Sequence, residues 1–394
     1  MNKQLIFYGA GNYAKSALDK LVDFGYVPTC FADADASKHY KKISTSNGLE
    51  YEILPLHEAI DLYPNYELVI TVIKASFSEV RRELIQSGVS SEYISPPPFY
   101  NLDSLPLLTL IQKQLSGSIV KKVEISESNA TLTIDIISDG RDFKMLVSDD
   151  FNNEANTCFY GKHHEAEETL MMNRILSMLP SKSTIFDVGA NTGFNTLCFK
   201  TIYPYMDVHA FEPIPHTYEI LSKNMQINNL NAIANNIGLS DKEGTVEFFF
   251  HQKFSGAASM KNVTGYVVPD FADSVEKISC RVKTLDSYVI SRNVRKVDFI
   301  KCDTEGSELL VFQGGIDTIK SSKPIVFSEI FHSAHFGYSN NDIVLFFKEI
   351  GYLCFVIENN RLSFVESITK ETKKTNFIFI HETSIKSLKE LICD

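Results

Sequence analysis

Short apolar runs, each closed by a glycine or an acid and followed by apolar positions at helical spacing, recur along this chain. That alternation predicts strands and helices in turn, and hence mostly parallel sheets. Residues 1–98 carry one such series. Gln4-Leu-Ile-Phe-Tyr-Gly9-Ala-Gly11-Asn-Tyr-Ala14 predicts a strand, a Gly-x-Gly-x-x-Ala turn and a helix from Ala14 to Phe24. Val27 to Phe31 predicts a second strand leading to Asp33. Leu68 to Ile73 predicts a third, with a helix through Leu84 and Ile85. Ser95-Pro-Pro-Pro98 stiffens the chain and marks a boundary. Over 99–160 the period changes. Leu102 to Leu115 reads as a connecting helix, and Lys122 to Ile137 and Phe143 to Val147 alternate as strands do, giving a β-rich linker.

From residue 161 the helical period returns. Leu170, Met171, Ile175 and Met178 or Leu179 share one face of a helix ending near Pro180. Thr184-Ile-Phe-Asp187-Val-Gly189-Ala-Asn191-Thr-Gly193-Phe-Asn195 then ends an apolar strand in an acid, turns on glycine and opens a helix from Phe194 to Ile202. This is how a nucleoside-binding α/β domain begins. Glycine at 189 and 193 leaves room for a ligand near the backbone. A pyrophosphate cradle more often shows Gly-x-Gly-x-x-Gly. Glycines four apart behind an acid suit a cationic ligand, which points to S-adenosylmethionine. Met206-Asp-Val-His-Ala-Phe-Glu212-Pro213 is a second strand ending in a carboxylate, 25 positions after Asp187. That station commonly holds ribose hydroxyls. One glycine turn alone fits any strand–helix corner; two such strand ends at one sheet edge argue for a nucleoside site.

The remaining elements follow in order. His216 to Asn228 is helical, and Ala232 to Ser240 is a strand with its exit loop, whose Asn and Ser are either an amide placed to read adenine edges or simply good turn residues. Thr245 to Phe250 and Ser279 to Leu285 are strands around a polar stretch, 251–278, read as a mobile insertion near the site. Lys296-Val-Asp-Phe-Ile-Lys301-Cys-Asp303-Thr-Glu305-Gly306-Ser-Glu308 and Pro324-Ile-Val-Phe-Ser-Glu329-Ile-Phe-His332-Ser-Ala-His335 each deliver acids to the same edge, and the second adds two histidines. Asp342 to Ile350 is helical, Tyr352 to Ile357 and Thr375 to Ile380 form a final antiparallel pair, and a helix closes the chain.

Composition narrows the class. At 394 residues, with 44% apolar and 22% charged, the chain has room for two or three domains with proper cores. A net charge of −11 without a dense Lys/Arg block argues against an electrostatic grip on nucleic acid. No apolar run approaches the roughly 20 residues of a bilayer span, and the start shows no signal-peptide pattern. Seven scattered cysteines, never in Cys-x-x-Cys spacing, read as reduced thiols. A cytoplasmic protein is expected.

S-adenosylmethionine is a methyl donor, and were the acceptor an alcohol, transfer would need an aligned oxygen, a dry pocket and a destination for the hydroxyl proton, whether a base or a metal-bound oxygen. Asp303, Glu305, Glu329, His332 and His335 are the candidates, and His332 is the first choice of base because imidazole titrates near neutrality. Asp303 and His335 stand beside it as catalytic candidates. A divalent ion of Mg²⁺ or Mn²⁺ type, held by Asp303, Glu329 and His332, fits the same cluster. The competing reading gives Asp-x-Glu-Gly only a turn and a helix cap to hold, with the histidines satisfied by backbone. Likewise His163, His164 and Glu165 are either a solvated acidic first turn favoured by the helix dipole or a lid, with Glu165 touching the cofactor.

In the order of its elements the chain resembles class I S-adenosylmethionine-dependent methyltransferases, and more narrowly the FkbM family. The matching pieces are Phe186-Asp-Val-Gly-Ala-Asn-Thr-Gly193, Phe211-Glu-Pro213, Ile300-Lys-Cys-Asp-Thr-Glu-Gly-Ser-Glu308, Ser328-Glu-Ile330 and Thr375-Asn-Phe-Ile-Phe-Ile380, within about residues 160–385. The resemblance implies a class I methyltransferase Rossmann-like seven-stranded sheet over 161–394; the smaller N-terminal Rossmann-like α/β domain read over 1–98 lies outside it, as an extra. It implies that Asp187, Gly189, Asn191 and Gly193 hold the methionine end, Glu212 the ribose and Asn236 the adenine, with Asp303 at the methyl-transfer centre. Thr304 stands where an apolar residue is usual. The family's habit of O-methylating hydroxyls implies a small-molecule acceptor, here a nucleotide-activated sugar for surface polysaccharide. The first domain is then a dimerisation module of a homodimer, or holds the nucleotide half of the substrate through Gly9, Gly11 and Asp33. Two rivals stand beside this: an NAD(P)-linked oxidoreductase using Gly11 and Asp33, and a non-catalytic scaffold that binds S-adenosylmethionine.

Overall fold

The computed structural model describes residues 4–10, 18, 22, 27–45, 48–70, 77–90, 93–95, 120–125, 130–135, 140–147, 166–251, 255–263, 275–369 and 372–393. Gly11, the expected helix 102–115, and His163, His164 and Glu165 lie outside these residues. The chain divides into two compact units, Met1–Ser116 and Gly117–Asp394.

In the first unit, Gln4–Tyr8 lies between Cys30–Ala32 and Tyr66–Ile70, parallel to both. Glu50–Leu54 and Lys42–Ser44 extend the sheet on one side and Ile94–Ser95 on the other. Neighbouring residues of a strand face opposite ways. Ile6, Cys30 and Leu68 therefore fill one apolar layer, and Phe7, Phe31 and Val69 the other.

In the second unit an eight-stranded sheet runs in the order Ile233–Asn235, Asp207–Phe211, Thr184–Val188, Phe299–Cys302, Ile325–Glu329, Asn376–His381, Tyr352–Glu358, Arg361–Val365. The first five are parallel, and the last three join antiparallel. Both faces are covered, with Phe186, Ile300 and Val326 in one layer and Ile185, Phe299 and Phe327 in the other. This explains why these strands read as continuous apolar runs. Seven of the strands are those expected of a class I methyltransferase sheet. The eighth, Arg361–Val365, is an added edge strand. It returns through Asn359 and Asn360, at φ 52° and 60°, the left-handed pair that tight hairpins favour.

The strands Val120–Ile125, Ala130–Ile134 and Phe143–Val147 form their own antiparallel sheet within this second unit. Side-chain amides fasten it to the helix Pro215–Ile227. Asn228 accepts from the Lys144 amide at 2.6 Å and donates to the Lys144 carbonyl at 2.7 Å. Asn224 accepts from the Leu146 amide and donates to the Thr192 carbonyl, each at 2.8 Å. The small sheet is thereby tied to the glycine turn. A third sheet joins Gly238–Leu239, Glu276–Lys283 and Gly244–Phe250.

Candidate functional site

The strand order reverses between Thr184–Val188 and its two neighbours, and the carboxyl ends of the parallel strands open there into a cavity of about 330 Å³. Such a switch point is where open α/β sheets bind ligands. One end is built by the turn after Thr184–Val188. Gly189 has φ +78°, and a Cβ on it would lie 1.7 Å from the Asp303 carbonyl oxygen. Gly189 itself lines the cavity, while the direction its Cβ would take is filled by the backbone that follows the adjacent strand. Gly193, at φ +97°, admits Leu221, whose Cδ1 would stand 2.4 Å from an added Cβ. Asn191, at φ +48°, lines the cavity, and its Oδ1 accepts from the Ser255 hydroxyl at 3.0 Å.

Glu212 lines the same end. Its carboxylate accepts from the Asn191 amide at 3.0 Å and the Ile214 amide at 2.9 Å, and burial raises its pKa to about 7. Asp187 is placed differently. It is fully buried beneath the turn, outside the cavity lining, and one oxygen accepts from the Thr196 hydroxyl at 2.6 Å. Burial raises its pKa, and the nearby Lys301 ammonium opposes that rise. Asn236 also stays out of the lining, donating to the carbonyls of Glu212 and Pro213 at 2.9 and 3.1 Å and so fixing that corner.

The other end carries charge. Lys301, Asp303, Glu305 and Glu329 all line it. Lys301 is buried and its Nζ donates to Asp303 Oδ2 at 2.9 Å. Glu305 sits at φ +54° with Gly306 at +103° behind it. Its pKa is raised well above the carboxylate range by burial, then by Asp303 and Glu329. The turn under it is fixed from three sides. Glu308 accepts from the Thr304 amide and hydroxyl, both at 2.9 Å, and from the Gly306 amide at 3.1 Å. Ser259 donates to the Glu305 carbonyl at 2.8 Å, and the Tyr338 hydroxyl to that of Gly306. The turn-holding role weighed for this motif thus belongs to Glu308, while Asp303 and Glu305 face the cavity.

The histidines lie outside the lining. His332, itself left-handed at φ +58°, places Nε2 3.8 Å from a Glu305 oxygen, and burial lowers its pKa. His335 is exposed, with its ring centroid 5.8 Å from that of His332. Among the described residues no group of three His, Cys, Asp or Glu is gathered to hold a metal ion, so the expected Asp303–Glu329–His332 set is not assembled. Sequence reasoning missed Lys301 and Phe248 in the wall. The signal for Lys301 was present, as a cation inside an apolar strand two positions before an acid, where both share a face.

In the first unit, the Asp33 carboxylate accepts from the Ala10 amide at 2.7 Å, the Asp35 amide at 2.8 Å and Lys38 Nζ at 2.9 Å. A ribose held there, as the NAD(P) reading requires, would have to compete with these donors. No helix among the described residues is long and apolar enough to cross a membrane.

Residues 187–354 match the family described as the methyltransferase FkbM domain. Methyltransferase 1 of Beauveria bassiana is 25% identical over 185 residues, 43% of this chain and 74% of the relative. The hexuronic acid methyltransferase AglP of Haloferax volcanii is 27% identical over 187 residues, 48% of this chain and 70% of the relative. Among solved structures, methyltransferase FkbM from Methylobacillus flagellatus aligns over 96% of this chain and 90% of its own, at 12% identity and a TM-score of 0.36.

Proposed function

The chain carries an FkbM-family methyltransferase domain, and from that premise we propose that it moves a methyl group from S-adenosylmethionine to a hydroxyl oxygen of a nucleotide-activated sugar, a precursor of surface polysaccharide. The observation that carries this reading is a single cavity with nucleoside-type contacts at one end and three carboxylates at the other. Its size falls within the roughly 300–1,000 Å³ of small-molecule sites. Glu212 suits two ribose hydroxyls. Pro213, Leu239 and Phe248 offer apolar surface to a base. The N-terminus of the helix Phe194–Ile202 suits the amino-acid carboxylate. The cofactor supplies an electrophilic methyl carbon. At the far end Glu305 takes the hydroxyl proton, since it lines the cavity and burial, followed by its acidic neighbours, raises its proton affinity. His332 stands behind Glu305 and is the next proton acceptor, not the first. The name of the Haloferax relative, a hexuronic acid methyltransferase, supports a sugar acceptor.

Calorimetric titration with S-adenosylhomocysteine, followed by labelled-methyl transfer to GDP-, UDP- and CDP-sugars with and without EDTA, tests this. Glu212→Ala should weaken S-adenosylhomocysteine by about 10²-fold or more, because each charge-assisted hydrogen bond contributes ~1.5–3 kcal/mol. Glu305→Gln should lower kcat by about 10²–10⁴-fold, the usual size of general-base catalysis, and His332→Ala by much less. The opposite ranking returns the base to His332. Label in none of the sugars overturns the acceptor, and no binding of S-adenosylhomocysteine overturns the whole reading.

A further inference from the structure

The acid-lined end of the cavity already contains a cation. Every residue of the strand Phe299–Cys302 is buried, Lys301 included. Lysine is almost never found so deep unless it is paired. Its partner across the parallel ladder is Asp187, so both side chains leave the same face of the sheet. Two positions on, Asp303 leaves that face as well and accepts from the ammonium at 2.9 Å. One ammonium thus stands near a fully buried carboxylate beneath the glycine turn, whose charge it favours, and hydrogen-bonds a carboxylate in the cavity wall.

This pairing bears on the divalent ion that the acids and His332 suggested. Mg²⁺ and Mn²⁺ prefer several oxygen ligands in nearly octahedral geometry and hold carboxylates at about 2.0–2.2 Å. An ion on Asp303 would sit within a few ångström of the lysine ammonium, which already occupies one oxygen of that carboxylate. Of the other two expected ligands, Glu329 lines the cavity, but His332 lies outside the lining with Glu305 as its acidic neighbour. The donor set is split and its central member is taken.

We propose that Lys301 is the resident cation of the acceptor end: a positioning residue that fixes Asp303 in the wall, takes the place of a divalent ion, and leaves methyl transfer independent of metal. Asp303 keeps Oδ1 for an acceptor hydroxyl while Oδ2 stays on the ammonium. The catalytic part rests on the methyl-transfer reading; the exclusion of metal does not.

Two measurements on the full chain test it. In the first, Mn²⁺ is titrated into the wild type and Asp303→Asn, with S-adenosylhomocysteine present, while free Mn²⁺ is followed by electron paramagnetic resonance. Equal uptake by the two proteins, whether none or a few surface ions, supports the proposal. Uptake by the wild type that Asp303→Asn abolishes overturns it. The second measures transfer. EDTA or added Mn²⁺ should change wild-type kcat less than twofold. Lys301→Met should lower kcat tenfold or more, with the KM for S-adenosylmethionine within threefold, and Lys301→Arg should recover part of the loss. Activity abolished by EDTA and restored by Mn²⁺, or a smaller loss in Lys301→Met, overturns it. If Lys301→Met does not fold, Lys301→Arg and the Mn²⁺ titration decide. A chain that transfers no methyl group at all fails the methyl-transfer reading in every arm, while the Mn²⁺ titration still decides whether the site takes a metal.

Discussion

Alanine at position 189 separates two kinds of strain in this fold. Gly189 has φ +78°, and an L-residue in the left-handed region costs about 1–2 kcal/mol. The added Cβ would also lie 1.7 Å from the Asp303 carbonyl oxygen and 2.8 Å from its carbon. That backbone cannot simply retreat. The Asp303 amide donates to the Val188 carbonyl at 3.0 Å, and Val188 and Cys302 are in register across the ladder. Relieving the contact parts the two strands, loses a hydrogen bond of about 1 kcal/mol and disturbs two fully packed side chains. The sum is about 3–5 kcal/mol, at the upper end of single substitutions.

Gly337 supplies the control. Its φ is +85°, yet nothing lies within 4 Å of an added Cβ. Gly337→Ala should therefore cost only the backbone part, about 1–2 kcal/mol. Urea unfolding of the two variants beside the wild type measures the difference. For a domain of this size each kcal/mol moves the thermal midpoint by roughly 2–4 °C, so the two melts should separate clearly. S-adenosylhomocysteine binding should fall in Gly189→Ala and stay unchanged in Gly337→Ala. Equal destabilisation by the two alanines would mean that the Gly189 turn and Asp303 do not meet, and the geometry joining the two ends of the cavity would fail with it.

Three further outcomes follow from the same contacts. Ser255→Ala, which removes the donor to Asn191, should weaken cofactor binding with kcat nearly kept; Ser259→Ala, which removes the donor to the Glu305 carbonyl, should lower kcat with binding nearly kept. Burial lifts the Glu308 pKa to about 7 from an ordinary 4.5. The folded state therefore binds the proton more tightly than the unfolded one, and this group's contribution to stability falls as pH rises from about 4.5 to 7, then levels off. Glu308→Gln should accordingly gain stability relative to the wild type between pH 5 and pH 8, by a few kcal/mol in paired denaturant titrations; a constant offset across that range refutes the assignment. Asn224→Leu strips the Leu146 amide and the Thr192 carbonyl of their partner and should cost about 2–4 kcal/mol in urea unfolding.

The parallel strands were legible because burial on both faces leaves an apolar run with little else in it, and Thr184–Val188, Asp207–Phe211, Phe299–Cys302 and Ile325–Glu329 each read that way. The edge hairpin was harder. Arg361–Val365 pairs with a strand on one side and makes only an isolated bridge to Ile392 on the other, so its pattern is weak, and the left-handed Asn359-Asn360 turn before it went unread. Side-chain direction was the least legible. Asp187 and Glu212 both end strands, yet one is sealed under the turn and the other faces the cavity. What separates them is a hydroxyl from the following helix on Asp187 and backbone amides on Glu212. Asp303, Glu305 and Glu308 look alike in sequence, but only the first two reach the wall, because Glu308 folds back to collect the amides of its own turn.

The stretch 251–278, read as a loop near the site, has a more definite part within its described residues. Asn191 and Glu305 hold left-handed backbone without being glycine, a conformation that costs about 1 kcal/mol or more and survives only where neighbours determine it. Each is braced by a serine of this stretch, Ser255 on the Asn191 side chain and Ser259 on the Glu305 carbonyl, four positions apart. Ser259 is itself held by two backbone bonds to Phe249, at 2.8 and 3.1 Å, near the end of the strand Gly244–Phe250 in the third sheet. One short segment thus fixes a strained residue at the nucleoside end and another at the acid end. Placing a methyl donor against an acceptor oxygen demands that the two ends keep their distance to a fraction of an ångström. A brace anchored on a third sheet does this without either end depending on the other's side chains. This is why a serine pair, individually ordinary turn residues, carries more of the site's geometry than the histidines that drew attention in the sequence.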